Sequence, residues 1–261
     1  MSKKAADDHT DPRMARPVII HDKKTKRYLT LQKLDKFVID DCEVNFPAPN
    51  NVSLFASIAK KEMLKARKIY NSLISKKTKN KREIYITDKN ITKLYDYLEH
   101  IQSSIIAIYT AIESFSNIAI PNDYTMRKKN QKGIEEIWDK SAIERWYTTS
   151  DKISEVLPSI LKTDSPKEMK GWTIFKELES IRNDIIHQKT ITKKRKDEID
   201  SSFMSKLLQE RIFDNIDAGF TLISFFCKHD ISHSFFPLGF SEAKLEPIEM
   251  DDMREDFEQI V

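Results

Sequence analysis

The chain has 261 residues, and its 39% hydrophobic content is enough for a folded core. Its 44 basic and 41 acidic side chains leave a formal net charge of only +3, so the total alone implies no polyanionic partner. The four glycines, Gly133, Gly171, Gly219 and Gly239, stand singly, which excludes a Walker A loop and a dinucleotide-binding fingerprint and disfavours a β-sandwich or barrel. Cys42 and Cys227 lie far apart and form no disulfide framework. The N-terminus is polar, with no apolar signal segment. The longest apolar stretch, around Ile105 to Ile120, is broken by Glu113, Ser114, Ser116 and Asn117 and is too polar to span a bilayer. A soluble, cytoplasmic protein without membrane contact is expected.

Residues 1–50 read as an N-terminal arm and lead-in. They are polar and charged to about residue 27, and partial alternation from Arg27 to Asp41 allows a short strand pair. Phe46-Pro-Ala-Pro-Asn-Asn is a punctuated linker. Ser53 is the expected N-cap of a first helix, with Phe55, Ile58, Ala59, Ala66, Ile69, Tyr70, Leu73 and Ile74 at helical spacing to about Ser75. A lysine-rich loop follows to Glu83. Asp88 is expected to cap a long second helix with the stripe Ile91, Leu94, Leu98, Ile101, Ile105, Ile108, Ile112 and Phe115, stopped by Pro121. About thirty residues at 1.5 Å each make it roughly 45 Å long, enough for the spine of a domain.

Asn122 to Gly133 reads as a basic loop. Ser141-Ala-Ile-Glu144 is a capping-box pattern opening a short helix with Trp146. Ser150 or Asp151 starts another, expected to end near Pro158. Ser165-Pro166-Lys-Glu168 offers a further cap and first-turn proline, and the helix after it carries Trp172, Phe175, Leu178, Ile181 and Ile185. A last helix is expected from about Ser202 to Cys227, with Leu207, Leu208, Ile212, Ala218, Leu222, Phe225 and Phe226. Residues 231–261 form a C-terminal tail, acidic from Ser241. The expected fold is all-α: an antiparallel helical bundle of about five helices over residues 53–230, behind a less regular N-terminal segment.

The chemistry concentrates on the helix of Leu178. With Leu178 at 0° and about 100° per residue, Arg182 falls near 40°, inside the apolar arc. Asn183 falls near 140° and His187 near 180°, stacked four apart on one edge. An arginine in a core stripe must find partners, because a buried unpaired charge is costly. The plain alternative is a long stem that snorkels to a surface carboxylate.

Ser180-Ile-Arg-Asn-Asp-Ile-Ile-His-Gln resembles the Arg-x4-His signature of the HEPN superfamily, in its Arg-Asn-x-x-x-His form. Trp172, Phe175, Leu178 and Ile181 before it are similar to the family's motif helix. Ala111-Ile-Glu-Ser-Phe-Ser-Asn117 resembles its earlier long helix, which often holds a polar residue near the active site. Trp138 to Leu161 resembles its short middle helices. The resemblance covers about residues 53–230. It implies a helical bundle that dimerises so that two motifs face each other in a composite cleft. It also implies a metal-independent endoribonuclease of toxin–antitoxin, abortive-infection or other antiviral systems. Arg182, Asn183 and His187 are its implied catalytic residues, Glu113 and Asn117 its supporting residues, and it implies no cofactor and no metal. An antitoxin or regulatory protein encoded elsewhere fits the same picture. Other members keep the fold and have lost catalysis, so a non-catalytic module binding nucleic acid, nucleotide or a partner protein is the alternative. A purely structural helical dimer is the third.

The residue types suit RNA cleavage. Histidine titrates near neutrality and serves as general base or acid. Arginine is a permanently charged, forked donor for phosphate oxygens. Asn183 is placed to position the phosphate or orient His187, and Glu113 either pairs with Arg182 or stands as an exposed helix-edge carboxylate. The modest net charge hides segregation. Lys65 to Arg82 holds eight basic residues and no acidic one. Arg127, Lys128, Lys129 and Lys132 form a second cluster, and Lys189, Lys193, Lys194, Arg195 and Lys196 a third, directly after His187. A lysine run is commonly just solvated surface. The expected RNA-backbone contacts are the third cluster with Arg127, Lys128 and Lys129. Cys227, His229 and His233 sit at a helix end without a Cys-x-x-Cys, and Asp164 with Glu168 and Lys170 lacks the sheet of a metal-dependent nuclease; neither argues for a metal.

Overall fold

A computed structural model describes residues 11–32, 34–75, 85–129, 132–187, 203–229, 236–240 and 248–249. The loop 76–84, the cluster Lys189, Lys193, Lys194, Arg195 and Lys196, His233 and nearly all of the acidic tail lie outside the described residues.

The chain opens on strands where a polar arm was expected. β1 (Val18–Asp22) pairs antiparallel with β2 (Arg27–Leu31) and parallel with β7 (Ile248–Glu249). β3 (Leu34–Ile39) and β4 (Cys42–Pro47) form a separate hairpin. β5 (Thr125–Lys129) and β6 (Glu135–Asp139) form a third ribbon, within and just after what reads in sequence as a basic loop. The fold is mostly helical but not all-α. The mostly helical fold agrees with the scarcity of glycine, and the first two hairpins form without it because other residues take the positive φ of their turns. Lys26 has φ 56°, and Asp40 and Asp41 have 47° and 63° in the two-residue turn between β3 and β4. The short polar aspartate side chain tolerates this left-handed region better than most.

α1 (Asn51–Ile69) runs on into a π-helical turn, Tyr70–Ser75. Its cap is Asn50 rather than Ser53: the Asn50 side chain accepts the Ser53 N–H at 3.1 Å. Val52, Ala56, Ala59, Met63 and Ala66 form its buried face, while Ile58, expected in the stripe, is 45% exposed. α2 (Asp88–Ile118) starts after Thr87, with Asp88 inside the first turn instead of at the cap. Ile101, Ile105, Ile108, Ile112 and Phe115 are buried as the stripe requires, joined by Tyr97.

α3 (Lys140–Trp146) is capped by Asp139, which accepts the Ala142 N–H at 2.7 Å, not by Ser141. α4 (Thr149–Asp151) is capped by Thr148 and passes through a π-helical turn, Lys152–Val156, into α5 (Leu157–Leu161). Pro158 therefore lies inside this segment rather than ending it. A proline in the first turn of α5 forfeits no helical donor, and the wider turn before it bonds Leu157 N–H to the Lys152 carbonyl. A 3₁₀ turn, Pro166–Glu168, capped by Ser165, leads to α6 (Trp172–Ile186). The expected last helix is two, α7 (Phe203–Leu207) and α8 (Ile212–Cys227). At the break the buried Tyr97 hydroxyl donates to the Leu207 carbonyl, and tighter turns at Gln209 and Ile212 replace helical bonding.

α2 is the spine: α1, α6 and α8 all pack on it. α8 comes very near, since a Cβ on Gly219 would stand 2.6 Å from Ile108 Cγ1. Leu178 and Phe175 of α6 complete this core. The packing holds the α6 face bearing Arg182 against the middle of α2. No helix among the described residues is long and apolar enough to cross a membrane.

Candidate active site

Arg182 lies at the edge of the buried face of α6, one residue past Ile181. Its side chain is 24% exposed, so the guanidinium reaches the surface while its stem is covered. Three groups hold it. The ring of Tyr109 on α2 lies 4.7 Å beneath the guanidinium carbon, a cation–π contact. Nη1 donates to Asn183 Oδ1 at 3.0 Å. Nη2 stands 3.8 Å from Glu113 Oε2, within ion-pair range but too long for a hydrogen bond. The expected Glu113–Arg182 pairing is thus present as a loose contact to a half-exposed carboxylate.

Asn183 lies between Arg182 and the end of the helix. Its side chain accepts from Arg182, and its backbone carbonyl accepts the His187 N–H at 2.9 Å. His187 is the residue on which α6 ends, with φ −111° and ψ 53°. Its imidazole is exposed and has no hydrogen-bond partner among the described residues. It leaves the helix where the chain enters the segment carrying the third basic cluster.

Asn117, the other supporting residue of the expected set, contacts a buried lysine. Its Oδ1 accepts from Lys152 Nζ at 2.8 Å, and the same ammonium donates to the Glu144 carbonyl at 2.9 Å. Lys152 is only 3% exposed, and this burial holds its ammonium below the usual lysine range, opposed by the charges of Glu113 and Glu144. Beneath Arg182 a second network forms. The Tyr109 hydroxyl donates to Glu179 Oε1 at 2.9 Å, and burial pushes its phenol up, so it stays a neutral donor. Ser150 donates to the same carboxylate, and Lys176 pairs with it and donates to Ser150. α4 is thereby pinned to α6, and the Tyr109 ring is fixed under the guanidinium.

Sequence reasoning missed Tyr109, Ser150, Lys152, Lys176 and Glu179. The π-helical turn at Lys152 breaks the 3.6-residue period that would have marked this lysine as facing inward. Tyr109 follows Ile108 on α2 and reads as ordinary core. A signal existed for Glu179: it lies three residues before Arg182, a spacing that puts two side chains on neighbouring positions of one helix.

Arg127, Lys128 and Lys129 are exposed on β5, opposite Ile137, Glu136 and Glu135 of β6. Arg127 lies 3.6 Å from Glu135, and Lys128 lies 3.2 Å from Glu155, which holds its ammonium above the usual range. Arg127 and Lys128 of this cluster thus each have a carboxylate neighbour. A cavity of about 620 Å³ lies elsewhere, between α1, α8 and residues 238–240. Within the motif Arg182 is half-buried, and Asn183 and His187 are exposed. Among the described residues no group of three or more His, Cys, Asp or Glu is placed to hold a metal ion. Cys227 is buried and its thiol is pushed up to about 12 by burial, which makes it a poor thiolate ligand.

The chain matches no family model, no curated protein and no solved structure.

Proposed function

We propose that the chain is a metal-independent endoribonuclease of the HEPN type, a helical bundle acting as a homodimer in the manner of a toxin or antiviral effector. The observation that carries this reading is the placement of the motif on α6. A guanidinium held by Tyr109, Asn183 and Glu113 stands within the last two turns, and the exposed His187 ends the helix. In the proposed reaction the RNA 2′-hydroxyl attacks the adjacent phosphorus. A base takes the hydroxyl proton, the 5′-oxygen leaves with a proton from an acid, and the products are a 2′,3′-cyclic phosphate and a 5′-hydroxyl end. His187 performs one of the proton transfers, and its counterpart in the second copy is available for the other. Arg182 stabilises the charge growing on the phosphorane oxygens through the N–H groups that Asn183 does not occupy. DNA lacks the nucleophile and is not cut.

The test is to map 5′-hydroxyl RNA ends in cells expressing wild type or His187→Ala. The reading expects new ends with wild type and none with the variant; identical profiles contradict it. A second reading, a non-catalytic binding module, rests on the same guanidinium, because Tyr109, Glu113 and Asn183 already supply it with partners. That reading gains if wild-type protein binds RNA in a salt-dependent way, leaves it uncut and is harmless on expression.

A further inference from the structure

The β3–β4 hairpin presents an amphipathic surface that the fold does not use. Its register pairs Asp35 with Phe46, Phe37 with Val44 and Ile39 with Cys42. Because side chains alternate along a strand, Phe37, Ile39, Cys42, Val44 and Phe46 share one face with Asp35 at its end, and Leu34, Lys36 and Val38 lie on the other. The rings of Phe37 and Phe46 stack there, with centroids 4.9 Å apart. Phe37, Ile39 and Phe46 are nevertheless 43%, 56% and 39% exposed. Among the described elements, β3 and β4 pack appreciably only on each other. A two-stranded ribbon is marginally stable alone, so this face calls for a cover.

The charges narrow the choice of cover. The hairpin carries Asp35, Asp40, Asp41 and Glu43 against a single lysine, Lys36. The acidic segment from Glu242 to Glu258 would repel it. A complementary surface lies on α1, where Lys61, Lys65 and Lys68 stand between the exposed Ile58 and Leu64, with Lys65 paired to Glu62 at 2.8 Å. The lengths also agree: six residues of strand span about 20 Å, and residues 57–68 of helix span about 18 Å. A hairpin cannot readily reach the α1 that follows it. Only residues 48–50 join them, and these are pinned by Ala15 N–H to the Ala48 carbonyl and Asn50 N–H to the Arg13 carbonyl, each 2.7 Å.

We propose that the hairpin is an exchange arm. Its apolar face docks on the exposed face of α1 in a second copy of this chain, with Asp40 and Asp41 against the lysines, and the second copy reciprocates about a twofold axis.

The test is sedimentation velocity on the full chain from about 1 to 100 µM, a range that exposes weak dimers. Wild type is expected to dimerise. Phe37→Ser with Ile39→Ser, Asp40→Lys with Asp41→Lys, and Lys61→Glu with Lys65→Glu are each expected to weaken the dimer by roughly 30-fold or more. Circular dichroism checks that helix content is retained. Combining the two charge reversals should restore most of the affinity, which loss of folding cannot mimic. A monomeric wild type, a dimer indifferent to these variants, or a charge swap without rescue overturns the proposal. So does a monomer whose hairpin amides resist hydrogen exchange, since the cover would then be the chain's own. A dimer that persists in Phe37→Ser with Ile39→Ser leaves the ribonuclease reading standing. Loss of cleavage with the dimer intact bears on that reading alone.

Discussion

Replacing Lys152 with methionine keeps the buried stem and removes only the ammonium. Two acceptors then lose their donor: Asn117 Oδ1, at 2.8 Å, and the Glu144 carbonyl, at 2.9 Å. An acceptor left without a partner costs about 1–3 kcal/mol, more when dry than when water reaches it. Asn117 is only half-buried, so its share lies at the low end. Methionine also relieves the desolvation cost of a charge that is 3% exposed. The net expectation is a loss of about 2 kcal/mol, or roughly 4–8 °C in Tm for a chain of this size. Urea and thermal unfolding at neutral pH measure it. A second readout isolates the charge. Burial holds the folded pKa of Lys152 below its unfolded value of 10.5, so the folded state binds this proton more weakly. The resulting penalty is fully present below the folded pKa and fades as pH rises toward the unfolded one. Wild type should therefore gain stability relative to Lys152→Met across that alkaline window. A variant as stable as wild type, with a flat difference against pH, would refute the view that this ammonium organises the site.

Three further outcomes follow from the same contacts. Glu113→Ala removes a half-exposed carboxylate 3.8 Å from Arg182, so stability should change by less than about 0.5 kcal/mol while cleavage falls roughly tenfold; full activity by single-turnover assay would show that Glu113 does not hold the guanidinium. Asn50→Ala removes the α1 cap and should cost about 1 kcal/mol in urea unfolding; no change would mean the Ser53 N–H finds another acceptor. The Cys227 thiol is pushed up to about 12 by burial, so its contribution to stability is full below pH 9 and is lost as pH rises from there toward 12, by roughly 4 kcal/mol at most. Cys227→Ala should unfold less steeply over that window, and an unchanged pH profile would count against the assignment.

The long helices were legible because burial imposes period. The stripe from Ile101 to Phe115 and the Phe175, Leu178 and Ile181 face came through as spaced. α1 was misread at Ile58 because alanines carry its buried face: Ala56, Ala59 and Ala66 let α1 close on α2, and small residues give a weak hydrophobic signal. A strand pair was allowed from Arg27 to Asp41, but β1 and β4 were not marked, in part because their turns use Lys26, Asp40 and Asp41 in the left-handed region where glycine was looked for. Within the site, the Glu113–Arg182 contact was anticipated from two helix edges. Lys152 was not, because a π-helical turn shifts the register that sequence periodicity assumes.

The ribonuclease reading is tested most directly with purified protein and end-labelled RNA in excess EDTA. The account predicts cleavage that persists in EDTA, leaves 2′,3′-cyclic phosphate and 5′-hydroxyl ends, spares DNA, and disappears in His187→Ala. Cleavage abolished by EDTA, or undiminished in His187→Ala, would contradict it.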